Sequence, residues 1–268
     1  ARGSLGGFAE AEEPPSRLES WSKRWSQGMI GWHLQDVNPT LKEFVGELLP
    51  AKPGQDGLGP RVLFPLCGKT VDMPFLASQG YRVVGVEGIE DALRAFAAEH
   101  GATGQLVPVA LPKELDPERY RSYAVLLKPG EGKPMPAPVL FVRGDFLALG
   151  SAEAEALVPF DAAFDRGGLV AVQPGDRPRY AQALAALLRP GGRLLLVTVE
   201  HDPFANGNLG PPFEVTEKEV SALFAGDFEV RLLKREDRYA VDEGMRARGC
   251  TRFFECGYLL TRKDGRSA

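Results

Sequence analysis

Residues 61–87 of the chain read RVLFPLCGKTVDMPFLASQGYRVVGVE. This stretch predicts a short apolar strand, a tight turn around Gly68, a helix, and a second strand that stops at Glu87. In such a unit the backbone amides of the turn face a ligand, and an acidic side chain about twenty residues further along binds a ribose diol. Gly68 and Glu87 have this spacing, so the stretch predicts a nucleoside site.

The composition of the turn restricts which nucleotide can bind. A dinucleotide fingerprint needs several glycines so that a pyrophosphate can approach the backbone, and this turn has only Gly68. Gly68, Lys69 and Thr70 resemble the end of a phosphate-binding loop, but Leu63 stands where that loop needs its first glycine. A nucleoside without phosphates fits better, and S-adenosylmethionine is such a ligand.

The rest of the chain predicts an α/β fold. Helical patterns separate most of the strand candidates, which favours a parallel sheet covered by helices on both faces, with the last two strands antiparallel at its edge. The candidates lie at residues 61–64, 82–86, 139–142, 161–164, 193–199, 228–233 and 253–261. The sequence therefore predicts a single Rossmann-like domain over residues 16–268, after a disordered tail at residues 1–15.

Several polar residues follow the predicted strands, where ligands of open α/β sheets bind. Asp145 could instead cap the turn that follows it, and Arg166 could instead pair with a neighbouring acid. The residues at these strand ends are Leu66, Gly68, Glu87, Asp145, Asp165 and Arg166. They are the candidates for ligand binding.

The three tryptophans, Trp21, Trp25 and Trp32, fall close together before the first strand. One interpretation is an amphipathic helix that packs on the body of the domain. The other is a lid over residues 16–49, because an aromatic face within about 6 Å stabilises a cation such as a sulfonium and excludes water.

Composition argues against several classes of protein. The formal charge of −4 predicts no basic face for nucleic acid, and no apolar run approaches the about 18 residues that span a membrane. The three cysteines lack zinc spacing, so we expect no metal and no disulfide, as in a reducing cytosol. A Pro/Gly-rich insertion at residues 121–138 predicts a mobile surface loop.

Five short motifs, in the same order, resemble those of the thiopurine S-methyltransferases. They are Pro65-Leu66-Cys67-Gly68-Lys69, Gly85-Val86-Glu87, Asp165-Arg166-Gly167, Pro174-Gly175-Asp176-Arg177 and Gly210-Pro211-Pro212-Phe213. The amino-terminal segment of that family is similar to Trp21, Trp25 and Ile30-Gly31-Trp32-His33, and Val37-Asn38-Pro39 is similar to its bacterial-type members. The resemblance covers about residues 18–262 and departs from the family at 121–138 and 244–251.

This resemblance implies a seven-stranded class I methyltransferase with S-adenosylmethionine as cofactor. Trp21, Trp25 and Trp32 are then expected to contact the cofactor, and Arg143, Gly144 and Asp145 to flank its base. The acceptor site is expected to comprise Asp165, Arg166, His33 and Phe213, with Arg246 or Arg248 near a second pocket arginine; His33 could also be purely structural.

The sequence therefore predicts methyl transfer to sulfur of an aromatic or heterocyclic thiol. A thiolate and a sulfonium annihilate each other's charge, so the enzyme needs to orient, desolvate and keep the acceptor ionised, with no obligatory general base. Two alternatives stay open: a wider acceptor range that includes selenium species, sulfide or halide, and a catalytically idle cofactor-binding module. We expect a cytoplasmic monomer without nucleic-acid or membrane partners.

Overall fold

The computed structural model describes residues 16–50, 59–130, 132, 135–157 and 159–264, so the expected tail at residues 1–15 lies outside it. The helices are α1 (Arg17–Ser26), α2 (Pro39–Leu48), α3 (Asp72–Ala77), α4 (Glu90–His100), α5 (Ser151–Leu157), α6 (Arg177–Leu187), α7 (Glu217–Phe224) and α8 (Glu243–Ala247). The strands are β1 (Arg61–Pro65), β2 (Arg82–Glu87), β3 (Val107–Pro108), β4 (Arg121–Val125), β5 (Val139–Arg143), β6 (Phe160–Arg166), β7 (Leu188–His201), β8 (Phe228–Asp237) and β9 (Phe253–Arg262).

The strands form a sheet in the order β3-β4-β5-β2-β1-β6-β7-β9-β8. Strands β5, β2, β1, β6 and β7 are parallel, and β9 is antiparallel to both β7 and β8. This confirms the predicted α/β sheet, its parallel centre and its antiparallel edge. The seven predicted strands are all present, and the sheet has two more because β3 and β4 extend it beyond β5.

The insertion at residues 121–138 differs from the expected surface loop. Its first five residues, Arg121–Val125, form β4, which pairs antiparallel with β5. Val125 and Leu127 are buried, at 0% and 2% exposure, because this edge of the sheet covers one of the two cores. Residues 131, 133 and 134 of the insertion lie outside the described part of the chain.

Alternate side chains of the central strands point to opposite faces of the sheet, and both faces are covered. Leu63 belongs to a core that includes Leu184 of α6, whereas Val62 and Phe64 belong to a core that includes Phe96 of α4. Strands buried on both faces read as continuous apolar runs, which explains why β1 is apolar throughout. The carboxyl ends of β1, β2, β5 and β6 consequently meet at one edge of the sheet.

The amino-terminal segment lies beside that edge. Helix α1 begins at a capping box in which Ser16 and Glu19 bind each other's backbone amides. Helix α2 begins at Asn38, whose side chain accepts from the amide of Thr40 at 2.9 Å and whose own amide donates to Asp72 at 2.8 Å. This last bond ties the start of α2 to the start of α3, directly after the turn that follows β1. None of the described helices has the length and apolarity needed to cross a bilayer.

Candidate active site

The turn after β1 has a backbone that approaches its neighbours closely. Gly68 has φ of 54°, and a Cβ added there would lie 2.7 Å from Nε2 of His33, so both the dihedral angle and the space require glycine. Leu66 has φ of 47°, which is uncommon for a residue with a side chain and is often found at functional sites.

Glu87 lies at the end of β2 with 7% of its surface exposed. One carboxylate oxygen accepts from the amide of Gly68 and the other from the amide of Ile89, both at 2.8 Å. Burial raises the pKa of Glu87, and these amide hydrogen bonds oppose the rise. Each oxygen retains a free lone pair, so the fixed carboxylate can also accept from two ligand hydroxyls.

A first cavity lies between this edge of the sheet and α1. It encloses about 630 Å³, part of it open to solvent, which is within the range of small-molecule sites. Its walls include seven of the predicted site residues: Trp21, Trp25, Trp32, Leu66, Gly68, Glu87 and Asp145. Its walls also include residues that were not singled out as site residues: Arg17, Leu18, Gly88, Phe146, Leu147, Gly167, Ala171 and Val172.

The three tryptophans meet edge to face over the first cavity. The ring centroids of Trp21 and Trp32 are 5.5 Å apart, and those of Trp25 and Trp32 are 6.3 Å apart. No residue of α1 is fully buried. The two interpretations of these residues therefore combine, because the helix packs on the domain through the same aromatic side chains that line the cavity.

Arg17 fastens α1 across the mouth of the cavity. Its guanidinium donates to Asp145 at 2.6 Å and to Asp176 at 3.2 Å. The amide of Leu147 donates to the other oxygen of Asp145 at 3.0 Å, so Asp145 both caps the following turn and lines the cavity. The spacing of four residues between Arg17 and Trp21 was the signal that would have placed this arginine on the same helical face.

His33 is held by two hydrogen bonds to the backbone. Its Nε2 lies 3.3 Å from the amide of Lys69, which can only donate, so the ring proton is on Nδ1, 3.0 Å from the carbonyl oxygen of Ile30. Burial lowers the pKa of His33, and the charges of Lys69 and Arg166 lower it further. Both ring nitrogens are therefore occupied, and His33 lines neither of the two cavities.

Asp165 differs from the expected catalytic role. It is 0% exposed, and its carboxylate accepts from the Tyr180 hydroxyl at 2.8 Å and from the amides of Gly168 and Leu169. Burial raises its pKa to about 6. Because it touches neither cavity nor Arg166, it acts on the site through the Gly167–Ala171 turn that it fixes.

Arg166, Arg143 and Gly144 also lie outside the walls of both cavities. The guanidinium of Arg166 donates to the carbonyl oxygen of Trp32, so it supports the aromatic cluster from behind. Burial lowers the pKa of Arg166, which nearby Glu255 opposes. Gly144 donates its amide to the carbonyl oxygen of Glu87 at 2.9 Å and thereby joins the ends of β2 and β5.

A second cavity adjoins the first, and Trp21 lines both. Its other walls are Arg17, Ser20, Arg24, Ala171, Gln173, Asp176, Pro211 and Phe213. Phe213 thus forms part of an apolar wall, as expected. Arg248 donates to the carbonyl oxygen of Pro211 at 2.9 Å, whereas Arg246 donates to the carbonyl oxygen of Tyr239 at 2.8 Å. Of these two arginines, Arg248 is the one that contacts a wall of the second cavity.

Comparison with solved structures agrees with this arrangement. The 1,6-didemethyltoxoflavin-N1-methyltransferase of Burkholderia thailandensis, solved with S-adenosylhomocysteine bound, has a TM-score of 0.55 at 18% identity and covers 95% of this chain and 94% of its own. A SAM-dependent methyltransferase from Methanosarcina mazei has a TM-score of 0.52 at 17% identity, covering 85% and 99%. At such identities the likeness concerns the fold.

Comparison at the level of sequence is more specific. The thiopurine S-methyltransferase of Pseudomonas aeruginosa (strain LESB58) is 36% identical over 248 residues, which is 92% of this chain and 99% of that protein. The thiopurine S-methyltransferase of Rattus norvegicus is 35% identical over 246 residues, or 92% of each. The family model for thiopurine S-methyltransferase matches residues 16–263. The chain is therefore an S-adenosylmethionine-dependent methyltransferase that belongs to the thiopurine S-methyltransferase family.

Proposed function

We propose that the chain transfers the methyl group of S-adenosylmethionine to the sulfur of an aromatic or heterocyclic thiol. The observation that carries this proposal is the pair of adjoining cavities that share Trp21. One cavity contains the carboxylate expected to bind a ribose, and the other has the aromatic wall that suits a flat ring. A methyl group passing between the two ligands would cross beside Trp21.

Cofactor binding is assigned to the first cavity. The ribose hydroxyls would donate to Glu87, which the amides of Gly68 and Ile89 hold in place. The sulfonium would lie against the aromatic cluster, where Trp25 and Trp32 supply cation–π stabilisation and exclude water. Residues 16–49 would then serve as a lid, within a single domain that continues to residue 268.

The chemistry needs few groups of the protein. Bringing a thiolate and a sulfonium together in a cavity that excludes water supplies orientation and desolvation, and the reaction cancels both charges. His33 is unsuited to act as a base, because its ring proton is bonded to Ile30 and its other nitrogen faces the amide of Lys69. The acceptor is therefore the thiolate already present at the working pH.

The acceptor is a small molecule, and its aromatic nature is supported by Trp21 and Phe213 in the second cavity. Sulfide, a halide or a selenium species would leave these rings without a partner. We also propose a monomer in the cytoplasm without nucleic-acid or membrane partners; the three cysteines, all free and buried, suit a reducing compartment.

The test is turnover of S-adenosylmethionine with 4-methylthiophenol, measured as methyl thioether and S-adenosylhomocysteine by mass spectrometry. The matched control is 4-methylphenol, which has the same ring and an oxygen in place of sulfur. We expect thioether from the thiol and no ether from the phenol. Cofactor binding by calorimetry without turnover of any acceptor in a panel of thiols, sulfide, iodide and a selenol would instead identify an idle binding module.

A further inference from the structure

One face of α1 points at the second cavity. Arg17, Ser20, Trp21 and Arg24 follow each other at intervals of three or four residues, and all four line that cavity. The face thus presents two cations on either side of an aromatic ring. The guanidinium of Arg24 lies 5.4 Å from the centroid of Trp21.

The two arginines of this face differ in their partners. Arg17 is neutralised by Asp145 and Asp176, and this pairing also neutralises Asp176, the carboxylate among the walls of the second cavity. Within the described part of the chain, no carboxylate forms an ion pair with Arg24. Arg24 therefore brings an uncompensated positive charge to the wall of the second cavity.

Arg248 adds a second such charge at the same place. Its guanidinium stacks 3.4 Å from the ring centroid of Phe204 and donates to the carbonyl oxygen of Pro211, a wall of the second cavity. No carboxylate of the described residues forms an ion pair with it. Burial lowers the pKa of Arg248, and the nearby charge of Arg24 lowers it further. The two guanidinium groups therefore repel each other, and nothing within the described chain relieves the repulsion.

We propose that Arg24 and Arg248 form an anion subsite at the rim of the second cavity, which selects aromatic thiols that carry a carboxylate or another anionic substituent on the ring. The inference rests on the proposed function, since it concerns the acceptor of that reaction. With the ring between Trp21 and Phe213, the anionic group reaches two cations that have no other partner. Bonds between guanidinium and carboxylate are charge-assisted, and two like charges strengthen the attraction.

The experiment compares 4-mercaptobenzoate with 4-methylthiophenol, which differ only in an anionic or a neutral group of similar size. The quantity is the ratio of their kcat/KM values in each variant relative to the unmodified protein, so that the different acidities of the two thiols cancel. We expect Arg24→Gln and Arg248→Gln each to lower the ratio by about tenfold, mainly through KM of the carboxylate. Arg24→Lys should recover most of the ratio, because it keeps the charge.

The matched control is Lys23→Gln, which removes the same charge from the exposed side of the same helix and should leave the ratio unchanged. Raising the salt concentration should lower the ratio in the unmodified protein and change it little in Arg24→Gln. Equal losses for both thiols in the two arginine variants, or an equal effect of Lys23→Gln, would overturn the subsite. Failure of the unmodified protein to methylate either thiol would instead overturn the proposed function.

Discussion

The hydrogen bonds of Glu87 allow its role to be tested by a single change of atom. In Glu87→Gln, one of the two side-chain atoms that now accept from the amides of Gly68 and Ile89 becomes an NH₂ group that faces another donor. The charge that would grip the ribose is lost at the same time. A hydrogen bond to a charged group contributes about 1.5–3 kcal/mol, so the dissociation constant of S-adenosylhomocysteine should rise about 10- to 150-fold.

Calorimetry with S-adenosylhomocysteine and its 2′-deoxy analogue separates the ribose contact from general damage. In the unmodified protein the analogue should bind more weakly, and in Glu87→Gln the difference between the two ligands should largely disappear. Glu90→Gln, on the partly exposed first turn of α4, is the control. If the two ligands differ as much in Glu87→Gln as in the unmodified protein, the carboxylate does not bind the diol and the assignment of the first cavity fails.

Three further expectations concern the lid, the acceptor and the buried acid. Trp25→Ala should weaken binding of S-adenosylhomocysteine by about 5- to 30-fold, the scale of a cation–π contact, with the melting temperature nearly unchanged because no residue of α1 is buried; a parallel loss of stability would make Trp25 a core residue. For a series of thiols, the pH dependence of kcat/KM should follow the pKa of each thiol and persist in His33→Gln; one enzyme pKa common to all thiols and absent from that variant would show that His33 is a base. Burial raises the pKa of Asp165 from 3.8 to about 6, so its contribution to stability is full below about pH 4 and is lost as pH rises through about 6. The stability of Asp165→Asn relative to the unmodified protein should therefore rise by about 2 kcal/mol between pH 4 and 7.5 in urea denaturation, and a constant difference would contradict this.

The sheet was predictable where local pattern and tertiary role agree. The apolar runs of β1 and β2 are buried on both faces, and the turn with Gly68 and the acid Glu87 mark their carboxyl ends. Strand β4 was missed because RSYAV lies in a segment rich in proline and glycine, and its burial depends on pairing with β5. Such pairing is a long-range property that local periodicity does not contain.

The candidate site was predictable in its position and only partly in its contacts. Strand ends located Leu66, Glu87 and Asp145 correctly, because parallel strands bring their carboxyl ends to one edge. The direction of a side chain beyond a strand end was not predictable. Asp165 points into the protein because the amides of the following turn and the Tyr180 hydroxyl are close enough to satisfy it.

The double role of Trp21 has a consequence for the order of events in turnover. Its side chain is at once the roof of the first cavity and a wall of the second, so the second cavity is complete only while α1 lies closed. A cofactor enclosed below that helix must enter before closure, whereas an acceptor can enter afterwards through the open side. Kinetics should therefore be sequential and ordered, with S-adenosylmethionine added first and its demethylated product released last, and the reactive sulfonium sheltered from water until a thiol arrives.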